Sequence, residues 1–164
     1  MSITIDHISK SNIMKNIYSI LIVISAMLAP VSLTQAQSNC VKVQITGFRV
    51  TSGKLYVSIY KDQEAFLKIG KETATNMVRV NKNDTLLETC FSGLAPGWYA
   101  VALYHDEDDN NKMNTGLFGI PLEPYGLSNN FRPRFSYPKF DQCRFYVPDS
   151  VEKSIAIALI KPVF

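Results

Sequence analysis

The chain has 164 residues, with 17 Lys and Arg against 14 Asp and Glu, a formal charge of +3. So small an excess supplies no electrostatic argument for nucleic acid or for an anionic membrane as a partner. Its three cysteines stand in no CxxC or Cys/His spacing, which gives no support to structural zinc or dithiol redox chemistry.

The first feature in chain order is the uncharged run IYSILIVISAMLA, residues 17–29, preceded by Lys10 and Lys15 and followed by Thr34-Gln35-Ala36. A basic flank, a short apolar stretch and small residues at a cleavage point predict an N-terminal signal helix over residues 1–36, with Met14 as an alternative start. The run is shorter than the roughly 20 residues a bilayer span needs, so no stable membrane span is expected after cleavage. The resulting expectation is an exported protein, periplasmic or secreted, with one domain over residues 37–164. A domain of that length buries roughly two-thirds of its unfolded surface.

Cys40, Cys90 and Cys143 allow three alternative single bridges in an oxidising compartment. Cys40 opens the first predicted strand and Cys90 ends a middle one, whereas Cys143 shares strand parity with Phe145 and Val147. A Cys40–Cys90 disulfide with Cys143 as a buried thiol is therefore expected. The alternative is three unpaired thiols packed as small apolar residues.

Residues 41–46 and 55–60 alternate strictly between apolar and polar, the period of half-buried strands, and the Val50-Thr-Ser-Gly53 turn between them predicts a hairpin. Asp62 is placed to cap a short helical turn. Further strands are predicted at 77–80 and 85–91, and at 98–104 after the Leu94-Ala-Pro-Gly97 turn. Residues 105–141 show neither period but hold Phe118, Tyr125, Phe131, Phe135, Tyr137 and Phe140. Disordered segments are poor in aromatics, so this stretch reads as an ordered cover docked on a sheet. Strands at 144–147 and 154–160 complete an all-β, seven-stranded antiparallel sandwich of immunoglobulin-like type.

The run GLAPGWYAVALYHDEDDNNKMNTGLFGIPLEPYGLSNN, with the earlier GFRVTSGKLYVSIYKDQEAFL, resembles the bacterial exported family called domain of unknown function 2141. The resemblance spans essentially all of residues 37–164. It implies a secreted or periplasmic sandwich of transthyretin-like character and no activity. Two departures stand out: Asn111 and Asn114 occupy positions where the family usually has glycine and aspartate. Asn accepts a left-handed backbone, so the turn survives.

The densest chemistry lies in YHDEDDNNKMNTG, residues 104–116. Asp106, Asp108, Asn110, the Lys112 carbonyl and Asn114 have the 1, 3, 5, 7, 9 oxygen spacing of a calcium loop, with Glu123 as a substitute for the closing ligand. Against a strong site, Leu117 stands at the position of the usual closing glutamate. A hydrated turn with Asx caps is the competing expectation. His105 beside Asp106, with Ser128 or Ser136, is the sole constellation suggesting a hydrolase, and neighbours on a strand point to opposite faces.

The leading expectation is an exported, non-catalytic binding or accessory module of the cell envelope, meeting an envelope protein or glycan. No cofactor is required, calcium is the one candidate, and no nucleic acid partner is expected. Its partner surface is assigned to His105, Phe118, Tyr125, Ser128, Asn129 and Asn130. A glycan-binding sandwich with Trp98 and Tyr125 exposed in a row is the alternative, and a hydrolase using His105 is the second.

Overall fold

A computed structural model of the chain describes residues 40–134, 136–149 and 152–161. The expected signal segment 1–36 and Phe135 of the aromatic cover lie outside the described residues. The fold is mostly β. Among the described residues it has eight strands: β1 Cys40–Thr46, β2 Lys54–Tyr60, β3 Ala74–Arg79, β4 Leu86–Ser92, β5 Gly97–Asp106, β6 Tyr125–Leu127, β7 Phe145–Val147 and β8 Lys153–Ala158.

One sheet has the order β4-β1-β8 and the other β3-β2-β5-β6, with β7 also pairing β5. The period-2 pattern decides which side chains meet. Val41, Val43 and Ile45 of the first sheet share a buried cluster with Leu55, Val57, Ile59, Tyr99, Val101 and Leu103 of the second. Each such aliphatic side chain removed from water is worth about 2 kcal/mol, so the two inner faces supply most of the drive to fold. The sheets also touch at a seam, where Tyr125 and Ile160 exchange backbone hydrogen bonds of 3.2 and 2.6 Å.

Two expectations are corrected. The described residues hold eight strands rather than seven, because residues 125–127 pair with Ala102–Tyr104 inside the stretch predicted to lack strands. A strand of three residues is too short for a periodic pattern to show. The strands are also not wholly antiparallel: β8 runs parallel to β1, with Val43 opposite Ile155 and Ile45 opposite Ile157. The chain reaches β8 from β7 in the other sheet, and a crossing of that kind can return a strand in either sense.

The predicted aromatic cover docks only in part: Tyr125 and Phe131 pack against a second buried cluster, whereas Phe118 and Tyr137 are exposed. Phe140, in the short helix α1 Phe140–Cys143, joins Tyr60, Phe66, Ala100, Leu127 and Cys143 in that cluster. Tyr60 meets Phe66 edge-on at 5.5 Å, and Phe66 meets Phe140 at 6.0 Å. Cys143 sits here as a free thiol, in a helix rather than a strand, and burial pushes it up to about 11, so it stays protonated at neutral pH.

Cys40 and Cys90 form the disulfide, with Cα atoms 5.7 Å apart. The register explains the pairing: Lys42 lies opposite Cys90 and Cys40 opposite Ser92, so the cysteines are diagonal neighbours on one face. The bridge spans 50 residues. Chain-entropy reasoning gives about 4 kcal/mol for a loop of that length, and bridges typically deliver about 2–4 kcal/mol. Cys40→Ala/Cys90→Ala is expected to lower the urea-unfolding free energy by that amount, and a reductant should do the same to the wild type. An unchanged midpoint in both would show that the bridge adds nothing.

Candidate functional site

β5 carries the chain from the core to the acidic loop. Its alternation sends His105 inward between the sheets and Asp106 to the opposite face, under the loop that follows. Both are fully buried. The His105 ring meets Phe48 edge-on, and Nε2 donates to the Ser52 carbonyl at 2.6 Å, since a carbonyl can only accept. Nδ1 has no hydrogen-bond partner and faces Glu107 at 3.9 Å.

The four consecutive acids divide by parity. Glu107 pairs with Arg49, and Asp109 pairs with Lys54 at 2.7 Å and more loosely with Arg79 at 3.7 Å. Asp106 and Asp108 instead turn into the loop. Asp106 accepts the backbone N–H of Asn110 at 3.0 Å and of Asn111 at 2.8 Å, one on each oxygen. Asp108 accepts the side-chain amides of Asn110 and Asn114, at 2.9 and 2.8 Å. These bonds, that to Asn114 foremost, hold its carboxyl below the usual range.

Glu123 closes the arrangement from the far end of the loop. One oxygen accepts Glu107 N–H at 2.9 Å and the other Asn114 N–H at 3.0 Å. Its carboxyl is raised above the usual range, by burial first; the two amides pull it down, and the Asp106 and Asp108 charges push it up again. Asp106, Asp108 and Glu123 each offer an oxygen within 4.8 Å of the others.

Two residues make the tight path possible: Asp109 and Asn111 adopt left-handed backbone, with φ of 62° and 65°. Asn111 is also pinned, its side-chain oxygen accepting from Lys54 and from the Tyr56 hydroxyl, both at 2.8 Å. Tyr56 in turn stacks on Tyr104 at 5.0 Å. Burial first, then neighbouring Tyr56, Asp106 and Glu123, push Tyr104 up to about 12, so it remains neutral.

Of the expected calcium ligands, Asp106, Asp108 and Glu123 converge, and Asn110 and Asn114 bond directly to Asp108. Lys112 donates its backbone N–H to the Asn110 side chain at 3.0 Å. The donors are all hard oxygens, which fits calcium better than a softer metal. The carboxylate and amide oxygens are already bonded within the loop, but a carboxylate oxygen has lone pairs to accept both an N–H and a cation.

The expected partner surface is corrected in part. His105 and Ser128 are fully buried and offer no surface. Ser128 accepts Val101 N–H at 2.9 Å and donates to Cys143 O at 2.6 Å, tying β5 to α1. Asn129 donates to Arg144 O at 3.0 Å, and Asn130 donates to Ala156 O and accepts Ala158 N–H, in place of a strand beside β8. These three side chains hold the fold together. Tyr125 is half-buried beside Tyr104 in β6, whereas Phe118 is 91% exposed.

Geometry also separates the other groupings. Ser128 lies beside Val101, four residues from His105 along β5, or about 13 Å. Trp98 is half-exposed, but the Arg144 guanidinium covers one of its faces at 4.6 Å and Tyr146 stands edge-on to it at 5.4 Å. Tyr125 lies opposite Tyr104, six residues along β5 from Trp98, or about 20 Å, so the two do not stand side by side.

An apolar tip, of which sequence reasoning singled out Phe118 alone, rises from the acidic loop. Thr115 pairs with Pro121, Gly116 N–H donates to Ile120 O at 2.8 Å, and Leu122 N–H donates to Asn114 O at 2.8 Å. Leu117 and Phe118 project from this tip at 82% and 91% exposure, with Ile120 beside them. LFGIPL between a polar loop and Glu123 was the available signal, an apolar run with no period. An open pocket of about 370 Å³ lies at its foot, lined by Glu107, Asp108, Asn114, Leu122 and Glu123 among others.

Compared with known proteins, residues 43–155 match the model of a family described as an uncharacterized protein conserved in bacteria (DUF2141). No curated protein and no solved structure gives a match.

Proposed function

The chain belongs to the bacterial DUF2141 family, and from that premise we propose that it is an exported, non-catalytic binding or accessory module of the cell envelope, built as a transthyretin-like sandwich. Its working part is the acidic loop with the tip that it carries. A calcium ion held by Asp106, Asp108, Asn110, Asn114, Glu123 and the Lys112 carbonyl orders the loop, and the tip contacts an envelope component.

One observation carries this reading: Asn114 belongs to both parts. Its N–H is held by Glu123 and its carbonyl by Leu122 N–H at the tip's base. Whatever steadies the three carboxylates therefore steadies the tip. Like charges gathered within 4.8 Å repel one another, and a divalent cation would relieve that repulsion at no cost in new backbone order.

Calcium at about a hundred times a Kd on the order of 10⁻⁴ M adds about 2.7 kcal/mol of stability. The melting temperature is then expected to rise by roughly 5–10 °C in calcium and to return with chelator. No shift under either condition would sink the calcium site. For the module itself, the tagged protein should retrieve a discrete envelope component from its own cells, and recovery of none with or without calcium would count against it.

A further inference from the structure

Basic side chains outnumber acids around the tip: of the exposed acids nearby, Asp108 is bonded to Asn110 and Asn114 within the loop and Asp141 is paired with Arg144. Tyr137, itself largely exposed, brings its hydroxyl to Gly119, where an added Cβ would lie 2.8 Å away, so the stretch around Tyr137 lies against the tip. Arg134 and Lys139 are three and two residues from Tyr137, and Lys112 is three from Thr115. Each is thus within about 10 Å of chain from the tip. All three are exposed, as is Arg132, and none forms an ion pair among the described residues. From Lys112 to Lys139 the sole acid is Glu123, which is buried and spent on two backbone amides.

We propose that this face docks on an anionic lipid surface, with Leu117, Phe118 and Ile120 entering the interface and Lys112, Arg132, Arg134 and Lys139 meeting the headgroups. The inference rests on the binding-module reading and names its partner. Leu117 and Phe118 project from the tip rather than lining the open pocket at its foot, whose lining residues are mostly polar, and a bilayer interface yields around such a projection. Apolar residues with Tyr beside them, ringed by Lys and Arg, are the side chains that settle at that boundary. Each basic residue near an anionic leaflet adds attraction that salt screens. The chain's near-neutral total hides this face, because Glu107 and Asp109 are paired with Arg49 and Lys54 elsewhere.

The test is cosedimentation of the protein, expressed from its full sequence and purified as its host processes it. Vesicles of neutral lipid alone are compared with vesicles containing about one-third anionic lipid, each in millimolar calcium and in chelator. The wild type should bind the anionic vesicles in at least one condition, and high salt should weaken it. Leu117→Ala/Phe118→Ala is expected to lower the partition coefficient about tenfold or more, given the apolar area it removes. Arg134→Glu/Lys139→Glu should lower it similarly on anionic vesicles alone. These side chains are exposed, so both variants should keep the wild-type melting temperature. No vesicle binding, equal binding to both lipid types, or binding insensitive to both variants overturns the proposal. If vesicles fail while an envelope protein is specifically retrieved, the lipid assignment falls and the module stands; if both fail, neither survives.

Discussion

Gly53→Ala is expected to cost about 3 kcal/mol or more. Gly53 has a φ of +86°, and a Cβ there would stand 2.1 Å from the Asp106 carbonyl oxygen, with the Asp106 carbonyl carbon and the Glu107 Cα also within 3.2 Å. Every obstacle is backbone, so no rotamer change relieves the overlap. Either the start of β2 or the end of β5 must move, and the Lys54–Asp106 pairing lies between them. Gly70 is the control, since its φ is +77° and nothing lies within 4 Å of its added Cβ. Gly70→Ala should cost only the left-handed backbone penalty, about 1–2 kcal/mol. Urea unfolding of both variants separates clash from dihedral strain; equal losses would show that the backbone absorbs the methyl.

Asp106→Ala is the second large effect, at about 2–4 kcal/mol. The carboxylate is fully buried, and its removal strands the N–H groups of Asn110 and Asn111, each of which it accepts in a charge-assisted bond. Asp106→Asn keeps one acceptor but turns an amide donor toward the other N–H, so an intermediate loss is expected. Hydrogen exchange should place the change in residues 107–114, with β1 and β2 protected as before. Any calcium-dependent rise in melting temperature should vanish in Asp106→Ala. A variant within about 0.5 kcal/mol of wild type, with slow exchange still at Asn110 and Asn111, would show that the loop does not depend on this group.

Much of the site was legible because a loop that turns tightly places alternate residues together. The spacing of Asp106, Asp108, Asn110 and Asn114 was enough to expect their side chains in one cluster, and Glu123 as the closing group. What spacing could not show is how the remaining acids are spent. Arg49, Lys54 and Arg79 lie far back in the chain; the register of β2 with β5 and β3 brings Lys54 and Arg79 to Asp109, and the connection before β2 brings Arg49 to Glu107. Ser-Asn-Asn at 128–130 was misassigned for the same reason: a polar triplet after a short strand looks like surface until its partners at Val101, Cys143, Arg144 and Ala156 are brought beside it.

The sequence alone determined what depends on near neighbours: the strict alternation of β1 and β2, the inward and outward sides of β5, the turn residues and the gathering of oxygen donors. These follow from backbone geometry over two to five residues. The parallel return of β8 to β1, the three-residue β6, the burial of His105 and Ser128 and the apolar tip were decided only in the tertiary structure. Each depends on which distant segment lies alongside. That choice is made by burial of one apolar face against another and by satisfaction of backbone groups across sheets, which no local period encodes.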